Sequence, residues 1–228
     1  MEKVSIRIDD DLSVSGIAQG PGDPAACYVF AHGAGAGMTH PFMAAVADGL
    51  AQRNIATLRY QFPYMELGRK RTDTPPVAHA AVRAAVAHAA QMFGPVRLLA
   101  GGKSFGARMS SQAQAIDPLP QVEGLIFLGF PLHPAGEPAS SRADHLAKVR
   151  IPMLFVQGTQ DKLADLALLR PVVDALAPRA TLMPIDPADH SFHVLKRSGR
   201  NDEAVLVEVL DGVARWIETL PRGDGARR

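Results

Sequence analysis

Gly102-Lys103-Ser104-Phe105-Gly106 fits G-x-S-x-G, the spacing of a nucleophile elbow, in which a sharp strand-to-helix turn lifts a serine hydroxyl out of a sheet. The surroundings suit it. Val96-Arg97-Leu98-Leu99-Ala100 reads as a buried strand, and Ala107 to Ile116 has a helical pattern. A helix N-terminus would then face the reacting centre, and glycines flank the serine because a strained, closely packed turn leaves no room for a Cβ. Gly102-Lys103-Ser104 could also close a P-loop. That loop needs a further glycine five positions earlier to wrap phosphates with successive N–H groups, and Arg97 stands there.

A serine attacks a carbonyl only if a base takes its proton and a third group orients the base. In the chain order expected after such an elbow the acid precedes the histidine. Met153 to Gly158 reads as a strand and Thr159-Gln160-Asp161 as the loop at its end, so Asp161 is the candidate acid. Asp165, Asp186 and Asp189 are alternatives. Strand Ala180 to Ile185 runs into Asp186-Pro187-Ala188-Asp189-His190-Ser191-Phe192-His193, where His190 is the candidate base and His193 its competitor. His79 and His88 fall within an Ala-rich helix and read as packing or surface residues.

An oxyanion needs two donors. Phe105 N–H follows the nucleophile; the second is assigned to Ala34, with Gly35 next, in the loop His32-Gly33-Ala34-Gly35-Ala36-Gly37. This loop is no dinucleotide fingerprint: the third glycine would fall at Met38, and no acidic residue ends the following strand, Ile55 to Tyr60. Gly35, Phe62, Tyr64, Lys103 and His133 are candidate pocket residues. Arg69, Lys70 and Arg71 form a basic run that could steer a carboxylated substrate or simply be a solvated loop.

These residues require elements that bring them to one edge. Short apolar runs alternate with helical patterns, the signature of a mostly parallel sheet covered by helices on both faces. The runs are Ala26 to His32, Ile55 to Tyr60, Val96 to Ala100, Gly124 to Gly129, Met153 to Gly158 and Ala180 to Ile185. The opening differs: Val4, Ile6 and Ile8, then Leu12, Val14 and Ile17, alternate with polar residues around Asp9-Asp10-Asp11, as in an antiparallel hairpin with one wet face. Phe42 to Leu50, Val77 to Val86 and Val205 to Leu220 show helical stripes, the last capped by Asn201 or Asp202. Phe130 to Ala139 is too short for a helical cap domain, which implies an open site.

The chain has 228 residues, 47% hydrophobic, with a formal net charge of +1. That is ample for one α/β domain, expected over 1–220, with a flexible tail over 221–228. The balanced charge argues against nucleic-acid or membrane partners. With one cysteine, Cys27, no internal disulfide or cysteine metal cluster can form. No signal-peptide pattern opens the chain, so a cytoplasmic location is expected.

The residues His32-Gly33, Gly102 to Gly106, Asp161 and His190 resemble the α/β-hydrolase superfamily over essentially the full length, and the compact, lidless layout resembles bacterial dienelactone-hydrolase-like proteins. The chain departs from true dienelactone hydrolases in carrying Ser104 where they carry cysteine. His32 to Met38, Phe62-Pro63-Tyr64-Met65-Glu66 and Pro131-Leu132-His133-Pro134 also resemble a family that includes a testis-expressed protein and a subunit of a chromatin acetyltransferase complex. The expected function is a serine hydrolase acting on a small ester, thioester or lactone, with a small-molecule acyl substrate and neither metal nor organic cofactor. A non-catalytic interaction module of the same fold is the second reading, against which the complete Ser104, Asp161, His190 set argues. Acyl transfer to an acceptor other than water is the third.

Overall fold

A computed structural model describes residues 1–221. The tail expected over 221–228 lies, beyond Pro221, outside the described residues. Eight strands form one sheet in the order β1-β2-β4-β3-β5-β6-β7-β8. The strands β1 (Glu2–Arg7) and β2 (Ser13–Gln19) make the antiparallel hairpin, and β2 continues antiparallel onto β4 (Ile55–Tyr60). From there the sheet is parallel through β3 (Ala26–Ala31), β5 (Arg97–Lys103), β6 (Val122–Leu128), β7 (Met153–Gly158) and β8 (Ala180–Ile185). Parallel strands need crossovers, and helices on both faces supply them. The strands β3, β4 and β7 are therefore buried along their whole length and read as unbroken apolar runs.

The period-two alternation of each strand divides the core between two faces. Cys27, Val29, Leu98, Ala100, Leu125, Phe127 and Phe155 point to the face covered by α3 (Pro75–Phe93), α4 (Phe105–Ile116) and α5 (Leu166–Ala175). Tyr28, Phe30, Leu99, Ile126, Leu154 and Val156 point to the face covered by α1 (Pro41–Ala51) and α6 (Asp202–Thr219). The short helix α2 (Pro63–Glu66) follows β4, and alanines Ala78, Ala81, Ala85 and Ala89 let α3 sit close on the sheet. Trp216 and its stripe on α6 are core. Asn201 caps that helix, its side chain accepting from Ala204 N–H at 2.8 Å.

The strand β5 runs to Lys103, three residues beyond the apolar run that suggests it. Gly101 and Gly102, which read as turn residues, still pair with Ile126 and Phe127 on β6 and with Phe30 and Ala31 on β3. Ser104 therefore follows directly on a central strand flanked on both sides. Between β6 and β7 lie a loop and one 3₁₀ segment (Ser141–Lys148) with no cap domain. Pinned by Ser111 and His145, which are 2.8 Å apart, that segment lies against α4.

Candidate active site

Ser104 stands between β5 and α4 with φ 50° and ψ −109°, a backbone conformation that costs energy for any residue with a Cβ. The turn closes this tightly because Gly106 presses α4 onto β3; a Cβ there would meet the Ala31 carbonyl oxygen at 2.5 Å. As the first residue of α4, Phe105 has an N–H with no intrahelical acceptor. Its ring is anchored edge-on to Phe62 and Tyr64, with centroids at 5.1 and 6.3 Å.

Ser104, His190 and Asp161 come together from three separate loops at the C-terminal edge of the sheet. His190 Nδ1–H donates to Asp161 Oδ2 at 2.6 Å, which leaves Nε2 to accept from the Ser104 hydroxyl at 2.8 Å. Asp161 is buried and its second oxygen accepts from Leu163 N–H at 2.7 Å. The Gln157 side-chain amide also donates to Oδ2. The carboxylate is thus fixed in orientation before it meets the imidazole.

The alternative acids are engaged elsewhere. Asp165 caps α5, accepting from Ala167 N–H at 2.8 Å, and Asp186 accepts from the Thr159 hydroxyl at 2.6 Å. Asp189 holds the base loop in shape, taking Ser191 and His193 N–H at 2.7 and 3.0 Å. His193 faces away from Ser104 and pairs with Asp202 at 2.8 Å. That contact raises the His193 pKa, chiefly through the hydrogen bond to the carboxylate.

A cleft of about 360 Å³ opens over Ser104 and His190, lined among others by Ala34, Gly35, Phe42, Met43 and Lys103. Ala34 and Gly35 thus share the cleft with Ser104, and the N-terminal turn of α1 also lines it. Three expected pocket residues do not line it. Phe62 and Tyr64 are fully buried beneath the loop that carries Ala34, because aromatic side chains on the turn after β4 gain more from the core than from an open cleft. His133 is also buried, its Nε2 accepting from Asp165 N–H at 3.0 Å, so it ties the loop after β6 to the loop after β7. Arg69 and Arg71 line a separate depression with Leu12, Pro63 and Leu67, which removes the basic run from the cleft.

The residues that shape the Ala34 loop carry no motif of their own. His32 bridges it to the next segment: Nδ1–H donates to Gly33 O at 2.8 Å and Nε2 accepts from Phe62 N–H at 3.0 Å. Burial pulls the His32 pKa down to about 4, so the ring is neutral and can play both parts. Arg59 donates to Met38 O at 3.2 Å and the Gln61 side-chain oxygen accepts from Met38 N–H at 3.0 Å. Only the His32-Gly33 pair offered a sequence signal; the rest depends on burial that spacing does not reveal.

Among the described residues no group of three or more His, Cys, Asp or Glu could hold a metal ion, and no helix is long and apolar enough to cross a membrane.

A family model for the alpha/beta hydrolase domain matches residues 24–218. A dienelactone hydrolase from Anabaena variabilis superposes with a TM-score of 0.77 at 20% identity, covering 97% of this chain and 98% of that one. An α/β serine hydrolase homologue from Coxiella burnetii gives 0.73 at 17% identity, covering 95% and 97%. A serine hydrolase without a lid from Xanthomonas campestris gives 0.70 at 21% identity, covering 97% and 96%. Each of these likenesses extends over at least 95% of this chain.

Proposed function

The chain belongs to the α/β-hydrolase family, and on that premise we propose that it is a serine hydrolase cleaving a small ester, thioester or lactone through an acyl-enzyme. The observation that carries the reading is the relay from Ser104 through His190 to Asp161, opening onto a cleft. As Ser104 Oγ attacks the carbonyl, His190 Nε2 takes the hydroxyl proton and Asp161 stabilises the imidazolium that forms. Phe105 N–H and Ala34 N–H hold the oxyanion, helped by the positive end of α4. The imidazolium then gives its proton to the leaving group. A water, deprotonated in turn by His190, releases the acid and restores Ser104.

An open cleft without a cap sets the substrate size. Each additional methylene is worth about 0.8 kcal/mol only where apolar walls receive it. A panel of p-nitrophenyl esters should show acetyl to butyryl chains outperforming dodecanoyl in kcat/KM, with no activation at an oil–water interface. A kcat/KM that climbs steadily with chain length would mean that a segment folds over the cleft, and the small-substrate part of the reading would fail.

A further inference from the structure

Lys103 precedes the nucleophile, yet its side chain turns toward the base. Nζ donates to the backbone carbonyl of His190 at 2.5 Å and lies 5.4 Å from the centroid of the Phe192 ring. Its stem runs along Gly33, where a Cβ would sit 3.6 Å from Lys103 Cγ. The ammonium occupies the space left open by Gly129, whose φ is +71° and whose Cβ, if present, would meet Nζ at 2.8 Å. The charged groups acting on it are Asp161 and Asp189.

We propose that Lys103 is a positioning residue that clamps the His190–Phe192 loop onto the end of β5, holding His190 Nε2 over the Ser104 hydroxyl. The loop carries the base on a few residues after β8, an edge strand of the sheet. The nucleophile sits on central β5. Lys103 joins the two directly, from the position next to Ser104, with a hydrogen bond to one residue of the loop and a cation over the ring of another. The inference rests on the proposed roles of Ser104 and His190.

Burial pulls the Lys103 pKa from 10.5 down to about 8, against the pull of Asp161 and Asp189. A lysine whose pKa is lowered by folding costs stability while both states are protonated, below about pH 8, and that cost is relieved as pH rises toward 10.5. The clamp is thus held in charged form at a cost to the fold.

The test compares wild type, K103M and G129A with p-nitrophenyl acetate from pH 6 to 10, together with their Tm values and an S104A control. K103M should lose about 10- to 100-fold in kcat, the scale of a misplaced catalytic group. Its KM should stay within about two-fold. Wild-type kcat/KM should fall above about pH 8 as the clamp loses its charge, and K103M should lack this limb. The K103M Tm at pH 7 should be at or above that of wild type. G129A keeps the lysine but would place a Cβ 2.8 Å from Nζ, and only at ordinary contact distance, 3.4 Å, from the His190 ring; it should lower kcat in the same way, so a K103M that fails to fold leaves the comparison intact. A kcat within two-fold of wild type in either folded variant, or a basic limb that persists in K103M, overturns the clamp. Activity that survives in S104A overturns instead the reading of the site on which the clamp depends.

Discussion

Replacing His190 with alanine is expected to lower kcat by about 10³–10⁶, while His193→Ala should keep a substantial fraction of wild-type activity, because the members of the proposed triad would act as a unit. The two histidines are three residues apart, yet their surroundings assign them different work. His190 Nε2 is 2.8 Å from Ser104 Oγ, whereas His193 is exposed and tied to Asp202 on α6. Loss of the His193 pair removes only an exposed contact that solvent screens. Steady-state kinetics on both variants, with circular dichroism to show that each is folded, separates them. Comparable losses from His193→Ala alone would reverse the assignment of the base.

Asp161→Asn should lower kcat by about 10⁴ with little change in fold, through the tautomer of His190. Asp161 accepts three hydrogen bonds, from Leu163 N–H, from His190 Nδ1–H and from the Gln157 amide. An asparagine that keeps its oxygen toward Leu163 presents its NH₂ to the imidazole. His190 then satisfies that donor by placing its own proton on Nε2, where it can no longer receive one from Ser104. A D161N enzyme within ten-fold of wild type would show that Asp161 only anchors the loop.

Much of this arrangement was legible in the sequence, for identifiable reasons. Strands such as Ile55–Tyr60 and Met153–Gly158 are buried on both faces and so stand out as apolar runs between polar turns. The hairpin Glu2–Arg7 and Ser13–Gln19 announces itself by alternation, since one of its faces is wet. The elbow was visible because strain and close approach demand glycine around Ser104. Less legible were the ends and the supports. Gly101 and Gly102 look like turn residues and are strand, since neighbours on both sides hold them in the ladder. Phe62 and Tyr64 look like pocket residues and are core, because the turn after β4 tucks inward under the Ala34 loop. His133 looks like a pocket residue and serves as a brace between two loops. Each of these depends on long-range packing, and no local spacing encodes which side of a loop a side chain will take.

Whether Ser104 is an activated nucleophile is decided by a fluorophosphonate and mass spectrometry of the labelled protein. Phosphonylation needs a hydroxyl next to a base and facing oxyanion donors. Ser110 and Ser111 do not qualify: their hydroxyls donate to the carbonyls of Gly101 and Arg108 at 3.1 and 2.9 Å, and although Ser111 lies 2.8 Å from His145 Nε2, both serines are buried in α4 and neither lines the cleft. A single adduct on Ser104 is expected, absent in Ser104→Ala and strongly slowed in His190→Ala. A folded protein that takes no label, or takes it on another serine, would contradict it.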